Sequence, residues 1–371
     1  SWRRFYHARM SLDRYVTLGR SGLRVSPFCL GAMTFGEDLG WGTSVADSNR
    51  IMDRFIERGG NFIDTANAYT RGHSEKIIGD HLGREPRKRE RLVLATKFFS
   101  SLYPGDPNGG GANRKAIHAQ LHESLRRLQT DYVDLYWMHA WDRLTPIEET
   151  MRTLDDLVTA GKVRYIGFSD TPAWKVTQAH VLAELRGWSP LAALQIEYSL
   201  LERTVEGELT PMAQELGLGV TPWSPLGRGA LSGKYKRADK GNHKPDRGAM
   251  LTGVLSSDRT YDIAEAAEAI AKELGTTTAR VALAWVQARP GVSSTIIGAR
   301  TLDQLDDNLV ALEVKLPPQA VAKLDEVSKP KLNFPAEFLG FIGSFGYGGT
   351  TIRGVNYPVT PNAPKSDAER Y

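Results

Sequence analysis

Apolar positions along the chain alternate between two spacings. Short apolar runs stand at "FCLGAM", "FIDTA", "LVLATK", "VDLYWMH", "VRYIGFS", "LAALQIEY", "GVTPWSPL" and "STIIGA", eight in all. Runs of that length and density suit strands buried on both faces. Between them the spacing lengthens to that of a helix. Ile51, Met52, Phe55 and Ile56 share one face, and Ile117, Leu121, Leu125 and Leu128 share another. Ile147, Met151, Leu154 and Val158 recur at helical intervals, as do Ile263, Ala267, Ile270 and Leu274. Thr145-Pro146 ahead of Glu148 and Glu149 marks a helix start, and Gly161 after Ala160 a helix stop. Eight strands alternating with helices predict an α/β fold, a (β/α)8 TIM barrel. A doubly wound sheet is the competitor, but it needs a glycine-rich fingerprint after the first strand. The segment there, "TFGEDLGWG", lacks G-x-G-x-x-G.

Some stretches fall outside the repeat. "RYVTLG" and "LRVSPFCLG", joined through Arg20-Ser21-Gly22, predict a small hairpin ahead of the barrel. Residues 1–14 are set apart as an N-terminal extension; they lack the apolar stretch of a signal peptide. Residues 15–328 are assigned to the barrel and 329–371 to an irregular C-terminal tail rich in Phe, Gly and Pro. Residues 233–259 are polar and Gly-rich without a sustained period, and a loop that long is expected to be functional or mobile.

Composition narrows the class. Of 371 residues, 41% are hydrophobic and 24% charged, as in a soluble globular protein. The net charge of +4 is small for this length, and "REPRKRERL" reads as a solvated loop, so no nucleic-acid partner is expected. No apolar run reaches the length of a membrane span. The single cysteine, Cys29, sits in an apolar run and reads as a buried thiol in a reducing, cytoplasmic setting. His118 and His122 are four apart, but no H-E-x-x-H surrounds them, so no metal site is expected.

Chemistry gathers where strands end. In a barrel the loops after the strands form one rim. Asp64, Lys97 and His139 close three successive runs, and Tyr69 follows Asp64 by five residues. A lysine beside a phenol favours the phenolate, and a carboxylate keeps a buried ammonium charged. A histidine can orient a carbonyl oxygen by a hydrogen bond. Together the four form a device that donates a proton to a carbonyl oxygen while hydride reaches its carbon.

The stretch "GGNFIDTANAYTRGHSEKIIGDHL" resembles the signature of the aldo-keto reductase superfamily, and the likeness runs from about Tyr15 to Lys329. It includes the opening hairpin and resembles the branch of bacterial-type and potassium-channel-β-like members. The resemblance implies an NADP(H)-dependent barrel with Asp64, Tyr69, Lys97 and His139 as a catalytic tetrad. It implies a cofactor held on the rim by Ala32, Met33 and Asp64. Ser169, Asp170 and Gln195 match the nicotinamide-carboxamide contacts, although Asn is commoner at the place of Asp170. Tyr198 matches the aromatic stacked on the nicotinamide.

"TPWSPLGRGALSGKY" is similar to the family's pyrophosphate loop, with Trp223, Ser224, Pro225, Leu226, Gly227, Arg228 and Lys234 as contacts. "GARTLDQLDDN" resembles the segment around the adenosine 2′-phosphate, at Gly298, Arg300, Gln304, Asp307 and Asn308. Arg300 favours NADP over NAD; Gly298 and Gln304 stand where other members carry lysine and arginine. Trp41, Trp141 and Phe338 are candidates for an aromatic substrate pocket. The expected partner is a small carbonyl or alcohol substrate. The rival reading is a cofactor-binding regulatory or sensor subunit, as potassium-channel β subunits are, and His139 separates the chain from those relatives.

Overall fold

The eight apolar runs become eight parallel strands. A computed structural model describes residues 12–83, 85–242, 249–364 and 366–370. The N-terminal extension therefore lies almost wholly outside the described residues. β1 (Val16–Thr17) and β2 (Arg24–Val25) form the expected antiparallel hairpin. The barrel strands are β3 (Phe28–Gly31), β4 (Phe62–Asp64), β5 (Val93–Phe98), β6 (Val133–Met138), β7 (Val163–Ser169), β8 (Leu191–Glu197), β9 (Gly219–Trp223) and β10 (Thr295–Ile297). They lie in the order β10-β3-β4-β5-β6-β7-β8-β9. That order keeps the chain sequence around the sheet, whereas a doubly wound sheet reverses at a switch point. The seam closes through Val220, whose N–H donates to Gly291 O at 3.0 Å and whose carbonyl accepts from Ser293 N–H at 2.9 Å.

The helices form where spacing and caps agree. Helix Val45–Glu57 starts after Ser44, whose side chain accepts from Asp47 N–H, and buries Ile51, Met52 and Phe55. Helix Ile147–Thr159 starts after Pro146 with Glu148 and Glu149 in its first turn and buries Ile147, Met151 and Leu154. Helix Asp258–Glu273 buries Ile263, Ala267 and Ile270, but Leu274 is its exposed C-terminal cap and does not continue the apolar face.

Two cores result. The larger lies between sheet and helices. The smaller fills the barrel: Cys29, Phe62, Val93, Ala95, Leu135, Trp137 and Ala193 pack with Leu18 and Val25 of the hairpin, which plugs the end where the strands begin. Burial raises the Cys29 thiol well above its ordinary pKa, so it stays protonated. Gly167 makes room for Trp137, since a Cβ there would stand 2.4 Å from the indole ring.

Two expectations are corrected. The tail is not irregular: it holds helix Ala336–Tyr347 and a hairpin of β11 (Thr350–Ile352) and β12 (Val355–Tyr357). Gly340, Gly343 and Gly346 concealed the helix, since glycine opposes helix formation. The segment 233–259 is also partly helical. Ala249–Leu255 is a helix that packs Leu251 and Leu255 against Ala230, while residues 243–248 lie outside the described residues. Among the described residues no helix is long and apolar enough to cross a membrane.

Candidate active site

Strand parity decides which polar side chains reach the rim. Alternate residues of a strand face the same side. Phe62 and then Asp64 point inward on β4, and Val93, Ala95 and then Lys97 on β5. Leu135 and Trp137 lead to His139 just past β6, and Ala193 leads to Gln195 on β8. The packed interior thus ends in a polar layer.

Lys97 is fully buried, and its ammonium has three protons to place. Nζ donates to the Asp64 carboxylate, to Thr65 O at 2.9 Å and to the Tyr69 hydroxyl at 3.3 Å. Asp64 also accepts from Gln195 Nε2 at 3.3 Å. Burial alone would pull the Lys97 ammonium down; Asp64 and Tyr69 reverse that and raise it to about 12. Burial pushes the Asp64 carboxyl up, against the pull of Lys97. The lysine is a fixed cation beneath the phenol.

Tyr69 stands in a turn of unusual backbone. Thr70, Arg71 and Gly72 after it have φ of 47°, 57° and 89°. Three successive residues in the left-handed region swing the chain back into helix His73–Ile78 and leave Tyr69 facing Lys97. The expected lowering of the phenol pKa is corrected: burial raises it, Asp64 adds to the rise, and Lys97 offsets only part. The His139 ring meets Tyr69 edge-on at 5.8 Å between centroids. Burial, and then the charge of Lys97, lower the His139 pKa to about 3, so its imidazole is neutral. Among the described residues its Nδ1, which is buried, has no hydrogen-bond partner.

Above this layer opens a cavity of about 750 Å³. Asp64, Tyr69 and His139 line it, and of the expected cofactor positions so do Met33, Ser169, Asp170, Gln195, Trp223, Ser224, Pro225, Leu226, Arg228, Lys234, Gly298, Arg300, Gln304, Asp307 and Asn308. Ser169 Oγ is buried and has no hydrogen-bond partner among the described residues, which suits a carboxamide. Asp170, at φ 43°, accepts from Trp223 Nε1 at 3.0 Å, and burial raises its pKa. Arg228 pairs with Glu197 at 3.0 Å. Near Arg300, Gln304 caps the Arg300 N–H at 2.9 Å, Asp307 pairs with Arg280 at 2.6 Å and Asn308 donates to Gly298 O at 3.2 Å. These side chains shape the end of the cavity where Arg300 stands. An open cleft with an orphaned hydroxyl, an indole face and cationic side chains fits a dinucleotide.

Some positions are not brought together. Tyr198 is a correction: it is 2% exposed, donates to Glu206 at 2.8 Å and meets Trp285 edge-on at 5.9 Å. Parity explains this, since Tyr198 is an odd number of residues from the inward-facing Gln195. Of the aromatics expected against the cofactor, the one in the cavity lining is Trp223, in the loop segment matched to the diphosphate. Ala32 and Gly227 are buried behind the lining. Trp41, Trp141 and Phe338 also lie outside it, and Phe338 is 41% exposed on the tail helix.

Sequence reasoning missed Glu75 and Arg127, which buttress the Tyr69 turn as a buried ion pair at 2.6 Å. The signal was there: an acidic residue on an otherwise apolar helix face, needing a partner. Tyr235 and Leu251 of the long polar segment also line the cavity unexpectedly.

Fold and site together define a barrel oxidoreductase. The chain belongs to the aldo/keto reductase family, whose model matches residues 27–329. It is 41% identical over 323 residues to the uncharacterized oxidoreductase YrpG of Bacillus subtilis, covering 84% of this chain and 95% of that one. An aryl-alcohol dehydrogenase of Pestalotiopsis microspora is 37% identical over 343 residues, 90% of this chain and 86% of the relative. A norsolorinic acid reductase of Aspergillus flavus is 33% identical over 329 residues, 86% and 82% of the two chains.

Proposed function

We propose that the chain is an NADP(H)-dependent reductase that interconverts an aldehyde or ketone and the corresponding alcohol, with aryl compounds as the first class to test. The observation that carries this is the Tyr69 hydroxyl, 3.3 Å from the Lys97 ammonium and beside a neutral His139, in the lining of a cofactor-sized cavity. When bound, the nicotinamide supplies or accepts the hydride. Tyr69 holds the proton at its hydroxyl oxygen and gives it to the carbonyl oxygen in reduction; in oxidation its phenolate takes the proton back. Lys97 stabilises that phenolate, and Asp64 keeps Lys97 in place. Neutral His139 donates a hydrogen bond that orients the substrate oxygen without adding a charge beside Lys97.

Ser169, Gln195 and Trp223 would hold the nicotinamide end, and Arg228 and Lys234 the diphosphate. Arg300, just ahead of helix Leu302–Val310, would hold the 2′-phosphate. The aryl class rests on the relatives named aryl-alcohol dehydrogenase.

The test is NADPH oxidation by the purified protein with a panel of aliphatic and aryl carbonyls, beside Tyr69→Phe. Wild-type turnover, with a variant that binds NADPH but is inactive, supports the reading. Tight NADPH binding by both with turnover by neither replaces it with a sensor function.

A further inference from the structure

Two tryptophans and two cations form a cluster on the rim next to the site. Trp141 stands two residues after His139, so their Cα atoms are at most about 7 Å apart. Trp174 stands at the second position of helix Ala173–Arg186, directly after the loop from β7 that carries Asp170. β6 and β7 are neighbours, so both loops leave the same rim. The two indoles meet edge-on, with centroids 5.2 Å apart. Lys175 Nζ lies 4.7 Å from the Trp174 ring and 5.5 Å from the Trp141 ring, and the Arg143 guanidinium lies 5.4 Å from the Trp141 ring. Trp174 is 58% exposed, a large apolar face left open to water.

The charges around the cluster do not cancel. Lys175 donates to the neutral amide of Gln178 at 2.7 Å. Among the described residues neither Lys175 nor Arg143 has a carboxylate within ion-pair distance. Asp142, between Trp141 and Arg143, is engaged elsewhere: it accepts from Leu144 N–H and the Thr145 hydroxyl of its own loop and from Ala112 N–H of the loop after β5, at 2.7–2.9 Å. Asp170, on the other side, accepts from Trp223. What remains is an aromatic wall carrying two uncompensated positive charges beside the histidine that orients the substrate. Such a wall favours a flat ring, and its charge favours an anion.

From this juxtaposition we infer that Trp141, Trp174, Arg143 and Lys175 form the outer part of the substrate site, and that it selects aryl carbonyl compounds bearing an acidic substituent on the ring. The inference deepens the proposed function and rests on its reading of the site for where the reacting carbonyl lies. With the carbonyl oxygen at Tyr69 and His139, the far edge of the ring reaches the tryptophans, and a carboxylate or phenolate there meets the cations.

A matched pair of substrates tests it: 4-carboxybenzaldehyde, and methyl 4-formylbenzoate as its neutral counterpart. Each is reduced by wild type and by the double variant Arg143→Gln, Lys175→Gln. Binding of the two corresponding benzyl alcohols is measured in parallel by calorimetry. The expected result is a preference for the acid of about five- to tenfold, the size of one or two partly exposed charge contacts. The preference shrinks in high salt and falls to near one in the double variant. Equal handling of acid and ester by wild type, or a preference that survives in the double variant, overturns the inference. If neither aldehyde is reduced, the proposed function fails, and the ratio of the two alcohol affinities still decides the inference.

Discussion

Arg127 reaches Glu75 across the helix interface, with Nη1 2.6 Å from Oε2 of a carboxylate that has no solvent exposure. The other oxygen of Glu75 accepts from the Thr96 hydroxyl at 2.6 Å. A Cβ on Gly72 would stand 2.9 Å from the Arg127 guanidinium, so the left-handed turn after Tyr69 rests directly on this pair. Removing one partner strands the other charge. Arg127→Met is expected to cost about 3–5 kcal/mol, and adding Glu75→Gln to recover part of that. Urea denaturation of the two variants checks it; an equal loss in both would mean that the charge is not the cause.

The state of His139 makes stability pH-dependent. Its pKa falls from 6.5 in the unfolded chain to about 3 in the fold, so between those values the unfolded state binds the extra proton. Its contribution is whole above pH 6.5 and is lost as pH falls toward 3. Between pH 7 and pH 5 this amounts to roughly 1–2 kcal/mol, from about 1.4 kcal/mol per unit, discounted for partial exposure. His139→Gln should flatten that part of the profile. Denaturation at pH 7 and pH 5 in both proteins measures the difference, and identical slopes would refute the assignment.

Gly167 keeps the barrel interior in register with the site. An added methyl would stand 2.4 Å from the Trp137 ring and 2.9 Å from Ala193 O. Gly167→Ala is therefore expected to destabilise by about 1–3 kcal/mol through overpacking. A thermal midpoint equal to wild type would show that the indole moves aside freely.

Cofactor choice tests the far end of the cavity. On the proposed function, Arg300→Ala weakens NADPH binding about 10- to 100-fold, the size of a charge-assisted contact to phosphate. NADH, which has no 2′-phosphate, should be little affected. Fluorescence titrations with both nucleotides decide it, and an equal loss for both would place Arg300 elsewhere on the cofactor.

The tail is expected to contribute little to the barrel's stability. Helix Ala336–Tyr347 has no buried residue, and Phe334 before it is 83% exposed. A chain ending at Leu332 should melt within about 2 °C of the full chain, because a change of a few tenths of a kcal/mol shifts Tm by no more. A larger drop would mean that the tail covers apolar surface of the barrel.

Much of the polar layer at the rim was legible in the sequence because strand geometry is simple. A period of two carries the inward set from Phe62 to Asp64 and from Val93 to Lys97, so ionisable residues ending apolar runs had to meet on one rim. The same period brings Trp223, in line with Gly219 and Thr221, to the cavity, and it turns Tyr198 away. Resemblance by residue type had placed Tyr198 there, and parity overrules it. The tail helix was hidden for a different reason: three glycines argue locally for loop.

By itself, the sequence determined the barrel, its plugging hairpin and the residues that end its strands, because hydrophobic period and strand order are properties of the chain alone. Only the tertiary structure decided the protonation of those residues and the setting of Tyr69. Burial raises the phenol and Lys97 offsets only part of that, a balance set by surroundings drawn from the whole barrel. The neutrality of His139 and the support of Tyr69 by Arg127 and Glu75 likewise depend on contacts between residues far apart in the chain. Charges and packing act through space, and no local pattern records which distant groups will share it.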